Sequence, residues 1–116
     1  MKLDLNQFLP LSPAVLHILL ALSGEDRHGY AIMQEIVRQT EGRHKLGPGT
    51  LYDNLEKLLD NGIVEESAQR SSGGDSRRRY YRLTGMGRRL LAAELARLEG
   101  VVREGKAKLR LGFRKA

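Results

Sequence analysis

The chain has 116 residues, 41% of them hydrophobic, and no cysteine. That suffices for one domain with a modest core, and it excludes a disulfide framework, thiol catalysis and a sulfur-ligated zinc site. The net charge of +6 is unevenly spread: residues 1–58 carry six Lys and Arg against seven Asp and Glu (net −1), and residues 59–116 carry fourteen against seven (net +7). A one-sided basic surface suits a polyanion, either nucleic acid or an anionic membrane, or it is a solvated face with no partner. No apolar run approaches the roughly 20 residues needed to span a bilayer; the longest, Ala14 to Leu22, contains His17. Met1 to Gln7 lacks a basic segment ahead of an apolar core, so the expectation is no signal peptide, no membrane and a cytoplasmic location.

In chain order, Ser12-Pro13 signals the first helix, with serine as N-cap and proline at the first helical position. Val15, Leu16, Ile18, Leu19, Leu20 and Leu22 follow, apolar almost all round, so this helix belongs at the centre of the core. It stops at Ser23-Gly24. A second helix begins near His28-Gly29-Tyr30, carries a stripe of Ile32, Met33, Ile36 and Val37, and closes at Glu41-Gly42. After Gly47-Pro48-Gly49 a third helix runs from about Thr50 to Asp60, with Leu51, Leu55, Leu58 and Leu59 on one face and Asn61-Gly62 as its stop. Then the period changes. Ile63 to Ser67 and Arg79 to Leu83 read as two strands of a hairpin whose tip is Ser71 to Ser76. Of the adjacent Tyr80 and Tyr81, one must face the core and one the other side.

Thr84 caps a last helix from about Met86 to Leu111. Leu91, Leu95, Leu98, Val102 and Leu109 recur on a seam of 3.5-residue period with a gap at Gly105. Three helices and a hairpin already supply a core, so the seam predicts dimerisation through these five residues; the alternative is that it packs back on its own domain. The expected fold is mainly α (α+β): a winged helix-turn-helix over residues 1–84, followed by a long C-terminal dimerisation helix and basic tail over residues 85–116.

In that plan the third helix enters the major groove, which requires one anchored face and one polar face. Asn54 suits a bidentate contact to adenine, Lys57 a guanine or a phosphate, and Thr50 a phosphate or a thymine methyl. The hairpin carries Arg70, Arg77, Arg78 and Arg79 around a Gly/Ser tip, a cluster able to follow a phosphate backbone or enter a narrow minor groove. Tyr30 either packs the helix start or donates to a phosphate.

The chain resembles the PadR family of transcriptional regulators. The segments that carry the resemblance are His28-Gly29-Tyr30, Gly49-Thr50-Leu51-Tyr52, Asn61-Gly62-Ile63-Val64, and Arg79-Tyr80-Tyr81-Arg82-Leu83-Thr84 with Gly87. They span about residues 11 to 90 in the family's order and spacing, and the short chain looks like the smaller subfamily. The resemblance implies a homodimer whose last helices pack together and against the partner's N-terminal region. It implies repression at a palindromic operator in double-stranded DNA, and it adds Gly49 and Tyr52 to the DNA-facing residues. Asp53 departs from the family, which usually has proline there; an acid either accepts from a cytosine amino group or repels phosphate.

Some relatives are released by a small aromatic or lipophilic effector. Phe8, Leu9 and Leu11 with the last helix could enclose an apolar pocket for one, although the chain has no tryptophan to stack on it. No cofactor is expected. His17, His28 and His44 lack metal-ligand spacing, and His17 reads as a satisfied core histidine. No nucleophile motif, Walker lysine or acid/base pair points to an enzyme. The competing reading is a winged-helix module that binds RNA or a protein without operator recognition.

Overall fold

A computed structural model describes residues 4–67 and 78–115, with side chains up to residue 110. A short 3-10 turn, Leu5–Phe8, precedes helix α1, Pro13–Gly24. The hydroxyl oxygen of Ser12 accepts from the Val15 N–H at 3.2 Å, the N-cap expected from Ser-Pro. Ile18, Leu19, Ala21 and Leu22 are buried at the centre of the core. His17 Nδ1 lies 3.2 Å from Gln39 Oε1 and its ring stacks on His44.

Strand β1, Arg27–His28, leads into helix α2, Gly29–Gln39. Ile32 and Ile36 are buried and Met33 half-buried, whereas Val37, expected on the same stripe, is exposed. The helix ends two residues before the expected Glu41-Gly42. Those two residues form the stop itself: both have positive φ, and the Gly42 N–H donates to Val37 O at 2.8 Å. On this helix Glu35 accepts from Arg38 Nε and Nη2 at 2.8 and 2.7 Å. Arg38, helped by Gln39, holds the Glu35 carboxyl at about 2 against its burial. A depressed acid stabilises the folded state above its unfolded value of 4.5 and loses that contribution as pH falls towards 2. Acid unfolding should therefore steepen below about pH 4.5 in the wild type and less so in Glu35→Gln, as pH-dependent thermal melts would record.

Helix α3, Pro48–Asp60, starts earlier than Thr50 because proline is accepted in its first turn. Leu51, Leu55 and Leu58 bury one face. Gly62, at φ 73°, lets Ile63 N–H reach back to Leu58 O at 3.0 Å and ends the helix where Asn-Gly predicts. Strands β2, Val64–Ser67, and β3, Tyr80–Leu83, then pair antiparallel, with Val64 opposite Leu83 and Ser67 opposite Tyr80. β1 adds to the other edge of β3, giving the order β1-β3-β2. Tyr81 is buried and Tyr80 half-buried, the two-sided placement expected of neighbours on a strand.

Helix α4, Gly85–Lys115, is capped by Thr84, whose hydroxyl accepts from Gly87 N–H at 3.0 Å and donates to Gly62 O at 2.6 Å. Its 31 residues span about 46 Å at 1.5 Å each. Among the described side chains, those of its first half pack on the domain. Leu90 and Leu91 join the core, so Leu91 is not part of an open seam: it fills its own domain where α4 crosses α1. Glu94 is also buried; one oxygen accepts from Leu11 N–H at 3.0 Å and the other from Arg97 Nε at 2.6 Å. That clamp holds the N-terminal arm against α4. Leu95, Val102 and Leu109 are exposed, Leu98 is half-buried, and residues 101–110 are exposed without exception. Val101, also exposed, widens the apolar strip. Among the described residues no helix is long and apolar enough to cross a membrane.

Candidate nucleic-acid interface

A helix anchored along one face offers two flanks. On α3 these flanks meet different surroundings. Tyr52 and Asn54 stand roughly 160° apart at 100° per residue, and the structure separates them accordingly.

Tyr52 turns towards the start of α2 and the base of the wing. With His28, Gly29, Tyr30, Arg78, Arg79 and Tyr81 it lines an open concavity of about 390 Å³. The Tyr52 hydroxyl lies directly over the Gly29 backbone, where an added Cβ would come within 2.2 Å of it. With a Cβ at position 29 the half-exposed ring would have to swing away. Tyr30 and Tyr52 are 56% and 48% exposed, so two phenols border the hollow with their edges open to solvent. The first-turn N–H groups of α2 stand at the same place, a helix end that favours negative charge.

His28 caps α2: its Nδ1 accepts from the Ala31 N–H at 3.2 Å. Its Nε2 lies 3.0 Å from Arg78 Nη1, and its ring meets Tyr80 edge-on. A neutral imidazole has one acceptor nitrogen, so the ring accepts from either the Ala31 N–H or the Arg78 guanidinium, according to which nitrogen carries the proton. The Arg78 guanidinium can only donate, and it lines the hollow beside the ring. Burial, and then the Arg78 charge, lower the His28 pKa, which favours the neutral ring. An anion in the hollow would meet the guanidinium N–H groups.

Arg79 is held differently. It forms an ion pair with Glu66 and lies 5.8 Å from the centroid of the Tyr81 ring. Hydrogen bonding to Glu66 raises its already high pKa. Arg82 pairs with Glu65 across β2 and β3 at 3.0 Å. Arg70 and Arg77 lie outside the described residues, as does the hairpin tip.

Gly49, Thr50 and Asp53 are exposed on α3. Asp53 stands opposite the buried leucines, with Glu56 and Asp60 exposed on the same side, so the outermost face of this helix is acidic. Asn54 and Lys57 belong to the other flank. Asn54 is half-buried, donates from Nδ2 to Thr50 O at 2.9 Å, and lines a smaller cleft with Lys57, Phe8 and Leu11. The structure thus brings Tyr30, Tyr52, Arg78 and Arg79 into one hollow and leaves Asn54 and Lys57 outside it. His28 and Tyr81 line the hollow without having been singled out as site residues. A histidine just before a helix-opening glycine was the available signal for the first; nothing local marks Tyr81.

The chain matches the description "Transcriptional regulator PadR-like family" over residues 15–93. It is 37% identical over 89 residues to Transcriptional regulator Rv3488 of Mycobacterium tuberculosis, an alignment covering 77% of this chain and 78% of that protein. Among solved structures it resembles a PadR family transcription regulator from Clostridium difficile R20291, with a TM-score of 0.65 and 28% identity over 84% of this chain and 99% of that one. It shares its fold with Bacillus subtilis PadR, solved in complex with operator DNA, at a TM-score of 0.60 and 23% identity over 70% of this chain and 45% of that one. The family match alone takes in the helix-turn-helix, the wing and the first third of α4. The chain belongs to the PadR-like family: it is a transcriptional regulator with a winged-helix fold, not an enzyme.

Proposed function

We propose that the chain is a homodimeric repressor that binds a palindromic operator in double-stranded DNA and is released by a small-molecule effector. The winged helix-turn-helix, residues 1–84, binds the DNA, and residues 85–116 dimerise. The observation that carries the DNA reading is the hollow at the start of α2. There the Arg78 guanidinium and the His28 ring stand beside a helix N-terminus and two exposed phenols. A backbone phosphate is the acceptor that fits, and phosphate contacts of this kind set register. Bacillus subtilis PadR, with the same fold, supports the choice of operator DNA.

Gly49, Thr50 and Asp53 present the exposed start of α3 to the major groove, with Lys57 and Asn54 at its far edge. Because Asp53, Glu56 and Asp60 repel phosphates, α3 contributes base selection more than affinity, and the wing arginines, with Arg70 and Arg77 among them, contribute affinity. Dimerisation is supported by the exposed Leu95, Val101, Val102 and Leu109 on a helix that runs past its own domain. A two-fold dimer places two such hollows on one duplex.

Selection from a random duplex pool at two salt concentrations tests this. One palindromic sequence should emerge, with affinity falling steeply as salt rises. Equal binding to any polyanion, RNA included, would reject operator recognition. Val102→Asp should weaken the dimer by roughly tenfold or more, since it places a charge in a desolvated contact, and sedimentation velocity across a concentration series reads that directly. An unchanged sedimentation coefficient would remove the seam from the interface.

A further inference from the structure

Among the described side chains, Glu94 is the last one buried along α4. Leu90 and Leu91, about one turn earlier, lie in the core, and Leu95, the next residue, is exposed. Helix α4 therefore changes surroundings at Glu94, from its own domain to the open seam. A carboxylate is costly to bury at such a point. An apolar side chain of the same volume often stabilises as well or better.

What the carboxylate adds is direction. Its Oε2 accepts from Leu11 N–H at 3.0 Å and from Arg97 Nη2 at 3.2 Å, and its Oε1 accepts from Arg97 Nε at 2.6 Å. Hydrogen bonding to Arg97 first, and also to Leu11 N–H, holds the carboxyl below the usual carboxylate range against the cost of burial. The Leu11 donor is backbone, and it stands immediately before Ser12, the N-cap of α1. The clamp thus ties α4 to the start of the central helix, on which α2 and α3 pack. Apolar contacts such as those of Leu90 and Leu91 are non-directional, whereas charge-assisted hydrogen bonds hold one geometry. The lever beyond the clamp is long. Leu109 lies about 22 Å past Glu94 at about 1.5 Å per residue, so a tilt of about 10° moves it by about 4 Å, more than the rise of about 3.4 Å between base pairs.

We propose that Glu94 is a positioning residue for DNA recognition: with Leu11 N–H and Arg97 it fixes the angle at which α4 leaves the domain, and so sets the separation and rotation of the two α3 helices that a palindrome must match. The inference rests on the homodimeric, operator-binding reading.

The test uses the full chain. Because the chain has no cysteine, Glu56→Cys, at an exposed position of α3, takes one spin label per protomer. Double electron–electron resonance then reads the distance between the two α3 helices without DNA. With Glu94 present the protein should have dimer mass and one narrow distance. Glu94→Met fills the same space without an acceptor, so it should stay dimeric with a melting temperature little changed. Its distance distribution should nevertheless broaden or shift by about 4 Å, the reach of the freed lever. A role in stability alone predicts the reverse, a lower melting temperature with the distance unchanged. With unlabelled protein, moving the half-sites of the selected palindrome apart by one base pair should weaken wild-type binding by about tenfold or more, as loss of register on one half-site does. Glu94→Met should lose only a few-fold, and both proteins should bind a duplex with a single half-site equally.

Should Glu94→Met fail to fold, Glu94→Gln decides: one oxygen replaces two, Arg97 Nε loses its acceptor, and the distribution should still widen. A distance as narrow in the dimeric variant as in wild type, or spacing losses equal to those of wild type, overturns the proposal. So does a broad distance with Glu94 in place. A wild type of monomer mass overturns the dimer and the proposal with it. A narrow distance that Glu94→Met broadens, in a protein that binds no duplex at low salt, upholds the clamp and overturns the operator reading.

Discussion

Gly87→Ala is expected to destabilise the fold by about 2–3 kcal/mol, as overpacking against an unyielding neighbour does. An added Cβ at Gly87 would lie 2.2 Å from Ile63 O and 3.2 Å from Ile63 C, both backbone atoms. Neither can swing aside, because Ile63 O accepts from Thr84 N–H at 3.1 Å and Ile63 N–H donates to Leu58 O at 3.0 Å. The clash lies where α3, β2, β3 and α4 meet, so relief would need one element to move. Helix propensity alone argues the opposite: alanine for glycine inside a helix is favourable by about 1 kcal/mol. Gly100 and Gly105, in the same helix, have nothing within 4 Å, so Gly100→Ala should raise stability by up to that amount. Denaturant unfolding of the two variants should give shifts of opposite sign. Equal shifts would mean that α4 does not approach Ile63 this closely.

Arg78→Ala should lower duplex affinity by about 10- to 100-fold, the range for losing a charge-assisted hydrogen bond. The loss should be similar for cognate and unrelated sequences, and the salt slope should flatten by about one unit, the signature of one phosphate contact. The magnitude follows from how the two neighbouring arginines are held. Arg79 is committed to Glu66 and the Tyr81 ring, so part of its charge is already compensated and Arg79→Ala should cost less. Among the described residues Arg78 meets the neutral His28 ring and no carboxylate, so its charge is less compensated than that of Arg79. Fluorescence anisotropy of labelled duplexes over a salt series separates the two variants. An Arg78→Ala loss confined to one sequence would make Arg78 a base reader in the wing and remove the phosphate from the hollow.

The elements were legible because their signals are local. Ser12 and Thr84 cap helices three residues ahead, and Asn61-Gly62 ends one by bonds that span five residues. Alternation in residues 63–67 and 79–83 suffices for a hairpin. The two-residue β1 is too short to show any period, and it exists because the far edge of β3 is open to it. The candidate site was legible only in part. The wing arginines and Tyr52 could be picked out by type and position. Their partners could not: Arg78 meets His28 across 50 residues, and Glu66 competes for Arg79 across a hairpin.

Composition, caps and periodicity by themselves determined four helices, a basic wing and membership of a helix-turn-helix plan, since each depends on residues within about two turns of one another. Only the tertiary structure decided which flank of α3 meets the arginines, moving Asn54 and Lys57 to a cleft with the N-terminal arm. It alone placed Leu91 in the domain core and left the seam to begin at Leu95. It also buried Glu94 against Leu11, 83 residues away. A helical pattern tells which residues share a face, and the direction of that face is set by packing against elements that lie elsewhere in the chain.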